Sequence, residues 1–274
     1  MASTVAVLVA AYNAERTIRQ AVESVLAGGF PCDVFVIDDA SRTSAADALG
    51  DLRGRVTAIR LARNVGPAAA RNAGLAAILA GGYRYVAIMD ADDVSRPGRL
   101  ARQAAFLDAH PTVGAVGTFV RFCDEATGET IFVRERPTDP AGVRNMMFFN
   151  IGLSHASAMM RCDVLRMIGG YSTDYPAAED YELMQRIAAV SELANIPEVL
   201  LDYRVSARGQ SMARRRRQLV DRLRIQLTYF RPLQWRAWAG AAQTLVLLGV
   251  PVGLATRLKT WLRPVTPAAR PSSS

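Results

Sequence analysis

The sequence predicts an α/β fold built on a mostly parallel, Rossmann-like sheet flanked by helices. Three observations carry that reading. Short apolar runs alternate with stretches of 3.6-residue periodicity through Val120, glycine and proline punctuate the joins, and one apolar run, residues 85–89, ends in Asp90, Asp92 and Asp93. Strand–helix alternation at this spacing means βαβ units. In open α/β sheets the carboxyl ends of the strands are where ligands bind, so the acidic cluster falls where a site is expected.

Taken in order, residues 5–10, 34–37, 56–61, 85–89 and 113–120 read as strands because each is a short apolar run bounded by turn residues. Between them, residues 14–27, 43–52, 67–79 and 97–109 carry the helical period. Pro67 and Pro97 stand where a first helical turn tolerates proline, and Gly28-Gly29, Gly66 and Gly81-Gly82 read as turns and helix ends. Past Val120 the regularity breaks. Residues 122–133, centred on Ala126-Thr127-Gly128-Glu129, predict a β-hairpin, 154–161 a short strand, 178–190 a helix and 198–205 a further strand. This second part elaborates the same domain and is placed to complete a pocket.

The 274 residues suffice for one large domain or two small ones. The expected division is a catalytic domain over 1–211, a basic and apolar helical extension over 212–263 and a disordered tail over 264–274. Cys32, Cys123 and Cys162 are odd in number and lack C-x-x-C spacing, which argues against a disulfide framework or zinc site and for a reducing, cytoplasmic setting. The N-terminus has no basic stretch ahead of its apolar run and reads as a strand rather than a signal peptide.

Charge is unevenly spread. From Tyr203 to the end there are 14 Lys or Arg against a single acid, Asp221, in a chain whose net charge is +8. The extension holds Arg214-Arg215-Arg216-Arg217 in a helical stretch over 212–230, then residues 237–256 without any charge. That stretch meets the length of a membrane span, although its glycines, Gln243 and Pro251 dilute it and basic residues flank both ends. A helix lying in an anionic membrane surface fits equally, and an oligomer interface or packed helix is the remaining alternative.

Asp90 and Asp92 alternate along an extended chain and so share a side, with no basic residue between them to relieve their repulsion. A hard ion such as Mg²⁺ takes one or two carboxylates and completes its shell with water and phosphate oxygens. Alone, Asp-x-Asp reads more readily as a solvated acidic turn. Its company decides: Ala11-Tyr12-Asn13 ends the first strand, Asp38-Asp39 the second, and Glu179-Asp180 opens a later helix.

With these motifs in order, residues 4–211 resemble a family 2 glycosyltransferase of the GT-A fold. The resemblance implies that Ala11, Tyr12 and Asp39 hold the nucleobase and ribose, that Arg71 in Asn64-Val65-Gly66-Pro67-Ala68-Ala69-Ala70-Arg71-Asn72 reaches the nucleotide, and that Asp90 lies near the ribose. Asp92 is then the ligand of Mn²⁺ or Mg²⁺, and Asp93 a variable neighbour. Asp180 becomes the general base for the acceptor hydroxyl, with Glu179, His155 and Tyr171 expected beside the acceptor. Implied with them are a nucleotide-sugar donor, probed first as a UDP-sugar, and an inverting reaction on a saccharide or lipid-linked acceptor at the cytoplasmic membrane face. The Q-x-x-R-W motif of processive members is absent from 202–211, which favours single addition.

Two other classes compete. A nucleic-acid-binding protein would use the arginine run, but no aromatic residues interleave that run for base stacking. A nucleotidyltransferase would carry a glycine-rich basic loop after the first strand, where this chain has Ala10-Ala11-Tyr12-Asn13-Ala14-Glu15.

Overall fold

The computed structural model describes residues 4–205 and 215–250. Four strands run parallel at one side of the sheet: β1 (Val5–Ala11), β2 (Cys32–Asp38), β3 (Thr57–Arg60) and β4 (Tyr85–Asp90), ordered β3-β2-β1-β4. Their registers pair Ala11 with Asp38 and Ala10 with Asp90, so three strands end level along one edge. Both faces of this part are covered, which is why its strands read as unbroken apolar runs. Ala6, Leu8, Ile37, Val86 and Ile88 face α3 (Pro67–Ala80), while Val5, Val7, Val9, Val36, Ala87 and Met89 face α1 (Ile18–Leu26) and α4 (Arg99–Ala109).

The sheet continues with a short β5 (Val94–Ser95), a long β6 (Val113–Asp124), β7 (Thr130–Arg134), β8 (Met159–Arg161) and β9 (Glu192–Val205), in the order β4-β8-β6-β9-β5 with β7 on β6. The expected hairpin is the antiparallel β6–β7 pair. Several expectations are corrected here. The single strand expected over 154–161 is a 3-10 turn, His155–Ser157, followed by β8. Pro97 precedes α4 instead of entering its first turn, because Gly98 adopts a left-handed φ of 80° between them. β9 begins at Glu192, its early half hidden by Pro197 inside the strand. The expected second helix, 43–52, is divided between α2 (Ala45–Leu49) and a 3-10 turn, Gly50–Arg55. Short helices α5 (Pro140–Met146) and α6 (Cys162–Ile168) were not foreseen.

The predicted helix at 178–190 is α7 (Glu179–Val190), and the extension supplies α8 (Arg215–Thr228) and α9 (Trp235–Gly249). α9 turns Ala237, Gly240, Ala241 and Thr244 inward. A side chain at Gly240 would stand 1.9 Å from the Phe148 carbonyl oxygen, so only glycine lets the helix sit this close. Among the described residues no helix is long and apolar enough to cross a membrane. The 211/212 boundary, Arg214, the rest of the uncharged stretch after residue 250 and the 264–274 tail lie outside the described residues.

Candidate active site

The site is assembled at the level strand ends. β1 and β2 are stitched together past their last residues: the Asn13 N–H donates to Ser41 Oγ at 2.9 Å, and Asn13 Oδ1 accepts from the Arg42 N–H at 3.0 Å. Asn13 and Ala40 both have positive φ, 52° and 57°, the two non-glycine residues of the described chain that do. Such backbone is costly and persists where its surroundings hold it. Asp38 does much of that holding, accepting from the N–H groups of Ser41 (2.8 Å) and Ala45 (3.0 Å) and from Arg60 (3.1 Å). Burial opposes its charge, but these hydrogen bonds and the Arg60 guanidinium hold its carboxyl below the usual range.

Asp39 is buried and faces the other way. Its two carboxylate oxygens accept from the Val65 and Gly66 N–H groups at 2.8 and 2.9 Å, fixing the loop that enters α3. Each oxygen keeps a further lone pair for a ligand donor. Ala11 is buried at the end of β1, whereas Tyr12 is 55% exposed at the rim, free to lie along a planar ring.

Arg71, on the buried face of α3, links the two acidic motifs. Its guanidinium donates to Asp90 Oδ1 and to Glu179 Oε1, both at 3.0 Å, and lies over the Tyr171 ring at 5.6 Å from its centre. Opposed by burial, the paired carboxylates nevertheless push the Arg71 pKa up. Tyr171 is itself fixed at both ends. Asn72 accepts from its N–H (2.7 Å) and donates to its carbonyl (2.8 Å), while its hydroxyl meets His155 Nε2 at 2.8 Å. Burial, then the nearby Arg71 charge, pushes His155 down to about 3, so the ring is neutral. The strand end at Asp90, the α7 start at Glu179, Tyr171 and His155 thus meet around one guanidinium.

Asp180 follows Glu179 at the start of α7, where three acids in the first turn suit the helix dipole. Burial raises its carboxyl above the ordinary range, against the Tyr181 N–H it accepts at 2.7 Å and the Arg71 charge. Glu179 is raised as well, by burial and then by Asp180.

The three carboxylates after β4 separate. Asp92 reaches solvent at the rim, although surrounding protein and then the Asp90 charge push it up to about 6. Asp93 turns inward and is fully buried; it accepts from the Arg204 N–H at 3.3 Å, and its Oδ2 has no partner among the described residues. Arg204, on β9, also donates through Nε to the Asp92 carbonyl, tying the end of the sheet to the acidic turn. An open cleft of ≈ 440 Å³, lined by Arg16, Thr17, Asp124, Glu125 and Arg204, adjoins this turn. Among the described residues no group of three His, Cys, Asp or Glu side chains forms a metal cage. The donor set is instead the Asp92 carboxylate at the rim, raised by burial and then by the Asp90 charge, with Asp90 itself paired through Oδ1 to Arg71. That fits a hard divalent ion completed by ligand phosphate and water.

Sequence reasoning placed Asp38 at its strand end but missed its holding role, and it missed Arg204 and the Arg99–Gln103 pair. Arg99 is buried and lowered to about 10 by that burial. It donates to the Ile88 and Ala156 carbonyls at 2.6 and 3.1 Å and to Gln103 at 3.2 Å, bracing the strand that carries Asp90. An arginine and a glutamine four apart on a helix otherwise lined by apolar residues was the available signal.

Four parallel strands with acidic ends, joined through one arginine to a second acidic pair on a helix, form a GT-A type architecture. The pattern of Glycosyl transferase family 2 matches residues 6–169, and the chain belongs to that family. It is 29% identical over 219 residues to the amylovoran biosynthesis glycosyltransferase AmsE of Erwinia amylovora, covering 77% of this chain and 79% of that protein. It is 27% identical over 215 residues to an uncharacterized glycosyltransferase of Haemophilus influenzae, covering 73% of this chain but 65% of the relative. Over 104 residues it is 44% identical to the succinoglycan biosynthesis protein ExoO of Rhizobium meliloti, covering 37% of this chain and 29% of that protein. Among solved structures, S. aureus TarS 1-349 in complex with UDP-GlcNAc superposes with a TM-score of 0.65 at 19% identity, covering 89% of this chain and 70% of that one. The mannosyltransferase PcManGT of Pyrobaculum calidifontis, in complex with GDP-Man and Mn²⁺, gives 0.62 at 21% identity, covering 94% and 79%. The chain spans 65%, 29% and 38% of the lengths of the first three curated relatives it matches.

Proposed function

We propose that this enzyme transfers a sugar from a UDP-sugar to a saccharide or lipid-linked hydroxyl, with inversion, one residue at a time, in polysaccharide or glycolipid synthesis. The observation that carries the reading is Arg71, whose two 3.0 Å ion pairs bring the Asp90 strand end and the Glu179-Asp180 helix start to one place. The donor lies along the level strand ends. Tyr12 stacks on the base, Ala11 leaves room for it, and a free lone pair of Asp39 accepts from a ring N–H. Asp92 would hold Mn²⁺ or Mg²⁺, which when bound neutralises charge on the departing diphosphate, and Asp90 lies toward the ribose.

Asp180 takes the proton of the acceptor hydroxyl as its oxygen bonds to the anomeric carbon. The carbon–oxygen bond to the diphosphate breaks on the opposite face, so the configuration inverts. Glu179 stays ionised beside Arg71, while neutral His155 and Tyr171 furnish polar contacts for the acceptor. TarS, described with UDP and with UDP-GlcNAc, supports a uridine donor, whereas the GDP-Man complex of PcManGT keeps guanine as an arm of the test. Calorimetric titration with UDP, GDP and ADP, each with Mn²⁺ and with EDTA, is expected to give UDP binding that needs the metal. Equal or stronger GDP binding would overturn the uridine assignment.

The acceptor is reached at an anionic membrane surface on the cytoplasmic side. The outer arc of α9 supports this: Trp235 (66% exposed), Trp238 (60%), Leu245 (56%) and Val246 (65%) form a charge-free stripe, with Arg231 and Arg236 nearby. Tryptophan and basic side chains favour the lipid interface. The full chain is expected to co-sediment with vesicles containing phosphatidylglycerol, and less so in high salt or with Trp235→Ser/Trp238→Ser. Recovery in the supernatant with such vesicles at low salt would contradict the membrane reading.

A further inference from the structure

The single acid among the 14 basic residues from Tyr203 onward is not on the surface. Asp221 is 4% exposed, and its carboxylate is directed at the loop that delivers Glu179 and Asp180. Asp221 Oδ2 accepts from the Ala177 N–H at 3.0 Å. One turn along α8, Arg224 donates to the Asp174 carbonyl at 3.1 Å and to Asp221 Oδ1 at 3.3 Å, and its guanidinium lies over the Tyr175 ring at 4.9 Å. A further turn on, Thr228 Oγ1 meets the Tyr175 hydroxyl at 3.3 Å, and the Tyr229 hydroxyl donates to Glu182 on α7 at 2.8 Å. Asp221, Arg224, Ile225, Thr228 and Tyr229 follow the three- and four-residue spacing of one helix face. That face grips 174–177 and the first turn of α7 together.

The loop is held from other sides as well: the Ala178 N–H donates to the Tyr175 carbonyl at 3.0 Å, the Asp174 N–H to Ser172 Oγ at 3.2 Å, and Arg71 of α3 pairs with Glu179 at 3.0 Å. Ala178, ahead of α7, makes no side-chain cap, so the helix start is not held by its own sequence. The donor side is fastened separately, through Asn13, Ser41, Asp38 and the Asp39 contacts to Val65 and Gly66. The acceptor side is therefore braced from two directions, by Arg71 and Asn72 of α3 and by Asp221 and Arg224 of the extension, and among the described residues the extension alone reaches the Ala177 N–H with a side chain.

We propose that α8 is a strap that sets the reach of Asp180, with Asp221 as its positioning residue. This rests on the assignment of Asp180 as the base. A carboxylate displaced by about 1 Å is enough to cost a catalytic step on the order of 100-fold. Without the Asp221 contact, the 174–177 loop loses the side chain that holds its Ala177 N–H, so the helix start is fixed from the Arg71 side alone while the nucleotide crevice keeps its own contacts.

The test compares Asp221→Ala, Asp221→Asn and Arg224→Gln with the unmodified chain of residues 1–274, measuring kcat, donor KM, UDP affinity by calorimetry and thermal unfolding. Asp221→Ala is expected to lower kcat roughly 10- to 100-fold with donor KM and UDP affinity unchanged. Asp221→Asn, which keeps an oxygen to accept the Ala177 N–H, restores a large part of that loss. Arg224→Gln, at a solvent-facing position that leaves the core intact, lowers kcat in the same selective way by a smaller factor. An unchanged kcat in Asp221→Ala, or an equal loss of UDP affinity, overturns the strap. If Asp221→Ala does not fold, Arg224→Gln decides: an unchanged kcat there overturns it equally. Asp180→Asn run in parallel separates the two readings, since an active Asp180→Asn removes the base assignment whatever Asp221 does.

Discussion

Asp180→Asn is expected to abolish sugar transfer while leaving donor binding intact. The amide cannot accept the acceptor's proton, and general-base assistance accounts for roughly 10²- to 10⁴-fold in rate, so kcat is expected to fall by that factor. The substitution preserves shape and an oxygen for the Tyr181 N–H, and it leaves the Arg71 bridge between Asp90 and Glu179 in place. Asp180 makes no ion pair to a donor-side residue among the described residues, its Oδ1 accepting from the Tyr181 N–H. The pH profile of the unmodified enzyme carries a companion signature. The working form of Asp180 is the ionised one, and burial raises its carboxyl above the ordinary range. Activity is therefore present above that raised value and lost as pH falls through it, placing the acidic limb of kcat above the ordinary aspartate value near ~3.9. His155 is already neutral across that range, with its pKa pushed down to about 3, and contributes no second limb near pH 6.

Asp92→Asn has the opposite signature. Asp92 stands at the solvent-facing end of the carboxylate pair, and its charge is raised in energy by its surroundings and then by Asp90. Replacing it removes an anionic oxygen from the metal site and should weaken metal-dependent UDP binding by at least about 10- to 100-fold, the loss seen when even supporting groups around a metal are removed. Adding Mn²⁺ should restore part of that affinity. Asp93→Asn behaves differently again. Asp93 is buried against the Arg204 N–H, so its loss is read as reduced thermal stability before any change in metal titration.

The donor half of the site was legible in the sequence, and the reason is topological. Parallel strands buried on both faces appear as runs such as Val5–Ala11, their ends are marked by the first polar residues, and the alternating fold places those ends on one edge. Asp38, Asp39 and Asp90 could therefore be located from chain position alone. Their division of labour could not. Asp38 and Asp39 are adjacent, yet one orders the turn after β2 and the other caps the loop into α3, a difference set by Ala45 and by Val65 and Gly66 further along the chain. Asp93 read as a variable neighbour because its burial is created by β9, whose Arg204 is 111 positions away.

The acceptor half was harder for the same physical reason. β8 is three residues long, β9 carries Pro197, and α5 and α6 hold seven residues each, too short for a periodic pattern to emerge. The turn bearing Tyr171 is shaped by Asn72, 99 residues earlier, and by Arg186 of α7, which donates to the Ile168 and Gly170 carbonyls at 2.8 and 2.6 Å. Composition singled out the extension as basic, but only the folded chain reveals that its one acid is directed inward.

The most direct measurement is a side-by-side titration of UDP and Mn²⁺ into the unmodified enzyme, Asp180→Asn and Asp92→Asn, followed by a transfer assay on the same samples. The expected result is undiminished UDP binding with no transfer in Asp180→Asn, and lost metal-dependent binding in Asp92→Asn. Full transfer by Asp180→Asn, or metal-independent UDP binding unchanged in Asp92→Asn, would contradict the division of the site into a donor edge and a base-bearing helix.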